Sequence, residues 1–169
     1  VTLPTHIDYV WDPFPHQKEA LAFSLNLPKC ALWLDMGLGK TYTSITLAKL
    51  RHHENFGNVN MVLVVCPRSL IYQWQTEIHT LAPDAYVGAM VGSDSKKHKI
   101  LDEACAAPFS FVITNYESLA TWFHELDAIG FDMYILDEAT KIKNPKAVRT
   151  LNTVELCSNI PYGVQLTGM

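Results

Sequence analysis

The sequence has few of the features that would place a protein in a membrane, outside the cell or on a charged polymer. Its four cysteines stand at positions 30, 66, 105 and 157 and include no CxxC pair. Cys30 and Cys66 lie in strongly apolar runs, where a thiol behaves as a small buried hydrophobe. That usage reads as a reduced, intracellular protein, cytoplasmic or, in a eukaryote, nuclear. No apolar run approaches the ~18–20 residues of a membrane span, and none has the pattern of a secretory signal, so no membrane partner is expected. There is no basic excess either. The net charge is −4 and the pI near 5.9, which leaves no global footprint for nucleic acid, so such binding must come from a local patch. His52-His53 and the other histidines lack metal-ligand spacing and read as a solvated face. Internal repeats and low-complexity tracts are absent.

What is present is apolar and ordered. The 169 residues suit one domain, and 49% apolar against 18% charged residues excludes disorder. The chain starts at Val1 and stops at "QLTGM", which reads as a piece of something longer. Apolar, β-branched-rich runs recur at 30–34, 60–67, 85–91, 109–116, 131–138 and 162–168. Most are continuously hydrophobic, as strands buried on both faces are. Between them, 16–26, 40–52, 69–81, 95–106 and 146–158 have helical spacing. Regular alternation of strand and helix predicts one doubly wound α/β domain, mostly parallel with helices on both faces, from residue 14 onward. Residues 1–13, with Pro4 and Pro13, form a lead-in segment. Trp74 and the other tryptophans are expected in the core. Ligands of such sheets sit beyond the carboxyl ends of the strands, so the residues directly after each apolar run are the informative ones.

After the first run comes Asp35-Met36-Gly37-Leu38-Gly39-Lys40-Thr41 and then a helix. Glycines let successive N–H groups turn toward an anion, and the helix N-terminus adds partial positive charge. Lys40 would reach the β- and γ-phosphates of a nucleotide, and Thr41 would place its hydroxyl on Mg²⁺. The strict phosphate-loop pattern fails at its first position, where Leu34 stands, and an ordinary turn is the alternative. The fifth run ends in Asp137-Glu138-Ala139-Thr140. Carboxylates leaving an apolar strand are costly unless something uses them. Asp137 can hold Mg²⁺ through its water shell and Glu138 can polarise an attacking water; a helix N-cap is the alternative for Asp137. A phosphate loop and a metal-and-base pair at one sheet edge predict a nucleoside triphosphatase that uses Mg²⁺.

The set of motifs resembles the first RecA-like lobe of superfamily 2 helicases, and within them the Swi/Snf-type DNA translocases. Met36–Thr41 match the family's "DEMGLGKT", with Asp35 where Glu is usual. Cys66-Pro67-Arg68-Ser69-Leu70 with Trp74 is similar to its "CPxSLxxxW", and Thr114-Asn115-Tyr116-Glu117-Ser118-Leu119 to its "TxYExL". Asp137–Asn144, "DEATKIKN", resembles "DEAHRIKN", and Leu166-Thr167-Gly168-Met169 resembles the start of "LTGTP". Thr140 departs from the usual histidine or aspartate, at a position that couples hydrolysis to polynucleotide binding. The resemblance implies that the nucleotide is ATP, that Gln17 reads adenine, that Gly37, Leu38, Gly39, Lys40 and Thr41 hold the nucleotide, and that Thr140 and Thr167 couple its state to movement. It also implies a second RecA-like lobe and DNA, bound by its backbone, as partners.

The family binds nucleic acid through the loops that here carry Arg68, Ser69, Thr114 and Asn115, whose donors suit phosphate oxygens. A helix N-cap is the other reading of Ser69. Residues 141–149, "KIKNPKAVR", including Lys141 and Lys143, carry four basic groups and no acid, the best local patch for phosphate contact. "KKHK" at 96–99 reads as a helix face. The expected activity is that of a DNA-dependent ATPase, a helicase or double-strand translocase. A DEAD-box-like RNA helicase, a P-loop phosphotransferase and a nucleotide-binding scaffold without catalysis are the rivals.

Overall fold

A computed structural model describes residues 3–33, 39–139 and 148–167. Six strands form one sheet: β1 (Lys29–Trp33), β2 (Met61–Val65), β3 (Tyr86–Ala89), β4 (Ser110–Thr114), β5 (Met133–Asp137) and β6 (Tyr162–Thr167). Their spatial order is β1-β6-β5-β2-β4-β3, and every pairing is parallel. The helices are α1 (Pro15–Leu25), α2 (Lys40–His52), α3 (Ile71–Leu81), α4 (Asp94–Ala106), α5 (Tyr116–Thr121), α6 (Phe123–Ile129) and α7 (Val148–Ser158). No helix among the described residues is long and apolar enough to cross a membrane.

Strand parity explains the continuous apolar runs. Val62, Val64, Phe111, Ile113, Met133 and Ile135 project into one buried layer with residues of α1, α2 and α3. Their neighbours Leu63, Val65, Val112, Tyr134 and Leu136 project into the other, against α4 to α7. Each central strand must therefore be apolar at both parities. β1 departs from that expectation. It is an edge strand, and Trp33, its last residue, is 66% exposed. Trp11 is also exposed, so only Trp74 and Trp122 of the four tryptophans belong to the core.

Two short helices, α5 and α6, occupy the crossover from β4 to β5, for which the sequence pattern marks no particular stretch. Each is too brief to show a repeating stripe. Lys96, His98 and Lys99 of "KKHK" are exposed on α4 as expected, Lys97 is only partly so, and Ser93 caps that helix by accepting from the Lys96 N–H. The lead-in segment lies over α2. Tyr42 donates its hydroxyl to the Trp11 carbonyl at 2.8 Å and its ring stacks on Trp11, while Lys49 donates to the carbonyls of Asp8 and Leu81. Arg51 ties α2 to α1 by donating to the Ser24 and Leu27 carbonyls at 2.9 and 2.7 Å. That bond set fixes the position of α1, and with it Gln17.

Candidate nucleotide and phosphate-contact site

The strand ends are level. Leu32 pairs with Leu166, and Leu166 with Asp137, so the loop after β1 and the carboxylate at the end of β5 leave the same edge with β6 between them. At ~4.8 Å per strand, β1 and β5 are about 10 Å apart. Val65 lies beside both Leu136 and Thr114, which brings Arg68 and Asn115 to that edge too.

Gly39, at the start of α2, has φ of 77°, a left-handed conformation natural to glycine and strained for other residues. A Cβ at this position would collide with the side-chain nitrogen of Gln17. Gln17 itself is buried in the first turn of α1, and its Oε1 accepts from the Phe14 N–H at 2.9 Å. Lys40 and Thr41 follow in the first turn of α2, half-exposed. That turn itself holds no acid, so its positive end is not neutralised from within the helix. Gly37, Leu38 and the rest of 34–38 lie outside the described residues, as do Thr140, Lys141 and Lys143.

Asp137 is buried on the layer that also holds α2 and α3. Its Oδ2 accepts from Trp74 Nε1 at 2.8 Å, and its backbone carbonyl accepts from the Tyr116 hydroxyl at 2.7 Å. Asp137 closes a strand, and Trp74 is its side-chain partner among the described residues. Glu138 follows with φ of 52°. A non-glycine residue held in the left-handed region costs about 1–3 kcal/mol and is found where the surroundings require an unusual direction. The negative field here reaches Cys66, whose buried thiol is pushed up to about 12 by burial first and then by Asp137 and Glu138. Burial, then Asp137, raises Tyr116 further, so its hydroxyl stays a donor. Among the described residues, no group of three or more His, Cys, Asp or Glu could cage a metal. The oxygen donors of Thr41 and Asp137 instead suit a hard cation carried with phosphate.

A cleft of about 610 Å³ opens beyond β2, β3 and β4, lined by Arg68, Lys97, Asn115, Tyr116, Glu117 and Ser118, among others, so that two cations and one carboxylate share its walls. Arg68 and Ser69 are exposed in the turn before α3, where Ser69 makes no cap. Asn115 is mostly buried and caps α5, its Oδ1 accepting from the Ser118 N–H at 2.8 Å. Thr114 is fully buried and does not present its hydroxyl at the surface. Thr167 closes β6 with its Oγ1 buried and without a partner among the described residues. Lys97 escaped the sequence reading because "KKHK" looks like a uniform solvated face, and only the fold turns one member toward the cleft.

The profile of the SNF2-related domain matches residues 16–168. The chain belongs to that family. This SNF2-related domain is 33% identical over 135 residues to the TATA-binding protein-associated factor mot1 of Aspergillus fumigatus, covering 74% of this chain and 7% of the relative. It is 30% identical over 116 residues to the ATP-dependent helicase BRM of Arabidopsis thaliana, covering 68% and 5%. Human SWI/SNF-related matrix-associated actin-dependent regulator of chromatin subfamily A member 1 is 32% identical over 115 residues, covering 67% and 11%. The domain therefore spans only a small part of these relatives. Its fold matches the Sulfolobus solfataricus SWI2/SNF2 ATPase core solved in complex with dsDNA, with a TM-score of 0.76 and 24% identity over 94% of this chain and 32% of that one. The RecA-like architecture expected from the motifs is thus the one observed.

Proposed function

We propose that this domain is the ATP-binding lobe of a DNA-dependent ATPase that couples hydrolysis to movement on duplex DNA. The observation that carries the reading is the shared sheet edge of Gly39-Lys40-Thr41 and Asp137-Glu138, on a chain of the SNF2-related family. Gln17, packed against Gly39, would face the adenine side of the bound nucleotide. Lys40 would neutralise the β- and γ-phosphates, and the positive end of α2 would add to it. Thr41 and Asp137 would hold Mg²⁺, Asp137 partly through water; the ion would offset charge across those phosphates. Glu138, aimed by its left-handed backbone, would take a proton from the attacking water. Gly37 and Leu38 would complete the cradle.

Arg68 and Ser69, with the loop at Thr114 and Asn115, would contact the DNA backbone, joined by Lys141 and Lys143. Thr140 and Thr167 would report nucleotide state to those contacts. A second RecA-like lobe would close on this edge and bring arginines to the transferring phosphate, a contribution commonly worth ~10³–10⁵ in rate. By itself the 169-residue chain would then bind nucleotide weakly and turn it over very slowly. ATPase measured on a two-lobe chain with duplex DNA, single strands, RNA and no polymer tests the reading. Stimulation by duplex DNA is expected. Equal rates in all four, or a DNA-stimulated helicase-like rate from the single lobe, would overturn it.

A further inference from the structure

Asp137 is gripped from both sides of the sheet. From the α3 layer, Trp74 donates to its carboxylate at 2.8 Å. From the α5 layer, Tyr116 donates to its carbonyl at 2.7 Å. Both donors are nearly fully buried, at 2% and 4% exposure. Each also belongs to an element that begins beside the Arg68–Lys97 cleft. α3 follows the turn that carries exposed Arg68, and Tyr116 lines the cleft itself as the first residue of α5, beside the capping Asn115.

The two bonds constrain different things. Trp74 fixes where the carboxylate points. Tyr116 fixes the carbonyl of the Asp137–Glu138 peptide, and because that peptide is planar it also fixes the N–H of Glu138 and the axis about which its φ is set. The 52° φ of Glu138 is thus held by the hydroxyl of a residue that stands at the cleft, with its ring in the buried layer beneath. A small displacement of the start of α5 would move this bond before it disturbed the sheet, since β4 and β5 are each paired on both sides.

We infer that Tyr116, assisted by Trp74, is a positioning residue that carries occupancy of the Arg68–Lys97 cleft to the Asp137-Glu138 peptide. The inference rests on the reading of that peptide as the hydrolytic centre and of the cleft as the place where DNA backbone binds. Neither residue touches a reacting atom. Tyr116→Phe keeps the buried ring and removes only the donor.

The test measures affinity of the chain for ATP·Mg²⁺ with and without a short DNA duplex, together with amide hydrogen exchange at Glu138 and Ala139. In the wild type, duplex should tighten nucleotide about fivefold or more, the lower end of ordinary coupling between sites, and should slow exchange at Glu138. In Tyr116→Phe, the coupling should fall toward one whatever the change in either separate affinity, and Glu138 should exchange faster with or without duplex. Unaltered exchange in β2 and β4 would show that the variant keeps its core. Trp74→Phe should lower the coupling as well. Unchanged coupling and unchanged Glu138 exchange in Tyr116→Phe would overturn the inference, as would a wild type that binds both ligands without coupling. A wild type that binds neither would overturn the functional reading itself.

Discussion

The side-chain nitrogen of Gln17 occupies the space that a Cβ on residue 39 would need. Gly39 is therefore favoured twice, by its 77° φ and because a Cβ would have to push aside the end of the Gln17 side chain. Gly39→Ala should lose about 1 kcal/mol or more from left-handed strain alone and displace Gln17 as well. Urea melts and nucleotide titration check the two effects. A variant with wild-type stability and wild-type preference for adenine over guanine nucleotides would refute both.

Lys40→Ala removes the cation at the start of α2 without touching the core. Charge-assisted contacts of this kind are worth ~1.5–3 kcal/mol, so ATP·Mg²⁺ affinity should fall roughly ten- to hundredfold. Calorimetry on folded variant and wild type decides it, and equal affinities would remove Lys40 from the phosphate site.

Glu138 offers a prediction that separates chemistry from strain. Glu138→Gln should still bind nucleotide and, in a two-lobe chain, lose ~10²–10⁴ of the hydrolysis rate. Glu138→Gly should lose hydrolysis too, yet its backbone accepts a positive φ of 52° at no steric cost. It should therefore be less destabilised than an ordinary buried-edge substitution, or even more stable than the wild type. A large loss of stability in Glu138→Gly would mean that the left-handed turn stores no strain.

Cationic contacts with DNA should be legible in salt. Each phosphate neutralised contributes about −0.9 to the slope of log affinity against log salt. Arg68→Ala with Lys97→Ala should flatten that slope by about two, and removing Lys141, Lys143, Lys146 and Arg149 should flatten it further. Filter binding across a salt series provides the measurement. An unchanged slope in the Arg68/Lys97 pair would make their cleft an ordinary solvated groove.

Two buried thiols set an alkaline limit. Burial pushes Cys66 and Cys157 up to about 12 from 9.0. Below the unfolded value both states hold the protons and stability is complete. As pH rises from about 9 toward 12, the unfolded chain releases them first, so stability falls. Urea midpoints should drop on going from neutral pH to about pH 10, and Cys66→Ala should reduce the drop. A flat profile would mean that the thiols titrate normally.

Much of this fold was readable because strand and helix each leave a period. The runs at 30–34, 60–67 and 131–138 became β1, β2 and β5 with ends moved by a residue or two, and α2 falls on 40–52 as spaced. The sequence could also be read at Gly39-Lys40-Thr41 and Asp137-Glu138, because glycines before a helix and acids after an apolar strand are chemically conspicuous. Other features left no local mark. Trp74 looks like any core tryptophan until the fold reveals Asp137 as the acceptor of its one N–H. Tyr116 looks like a motif aromatic until its hydroxyl is traced across the sheet to a carbonyl. Trp33 belongs to an apolar run but sits on an edge, and edge position is decided by strand order, which no single segment encodes.

The parity of β5 has a consequence for how such a lobe can vary. Asp137 shares its side of the sheet with Met133 and Ile135, and hence with Trp74. Inserting or deleting one residue within β5 would turn the carboxylate into the α4–α7 layer, away from Trp74 and from the start of α2. Substitutions can accumulate along this strand, but its count from Met133 to Asp137 can change only in steps of two. Length changes are thereby tolerable only in the loops on either side, and the side of the sheet from which the Asp137 carboxylate faces Trp74 is an odd-or-even property of one strand.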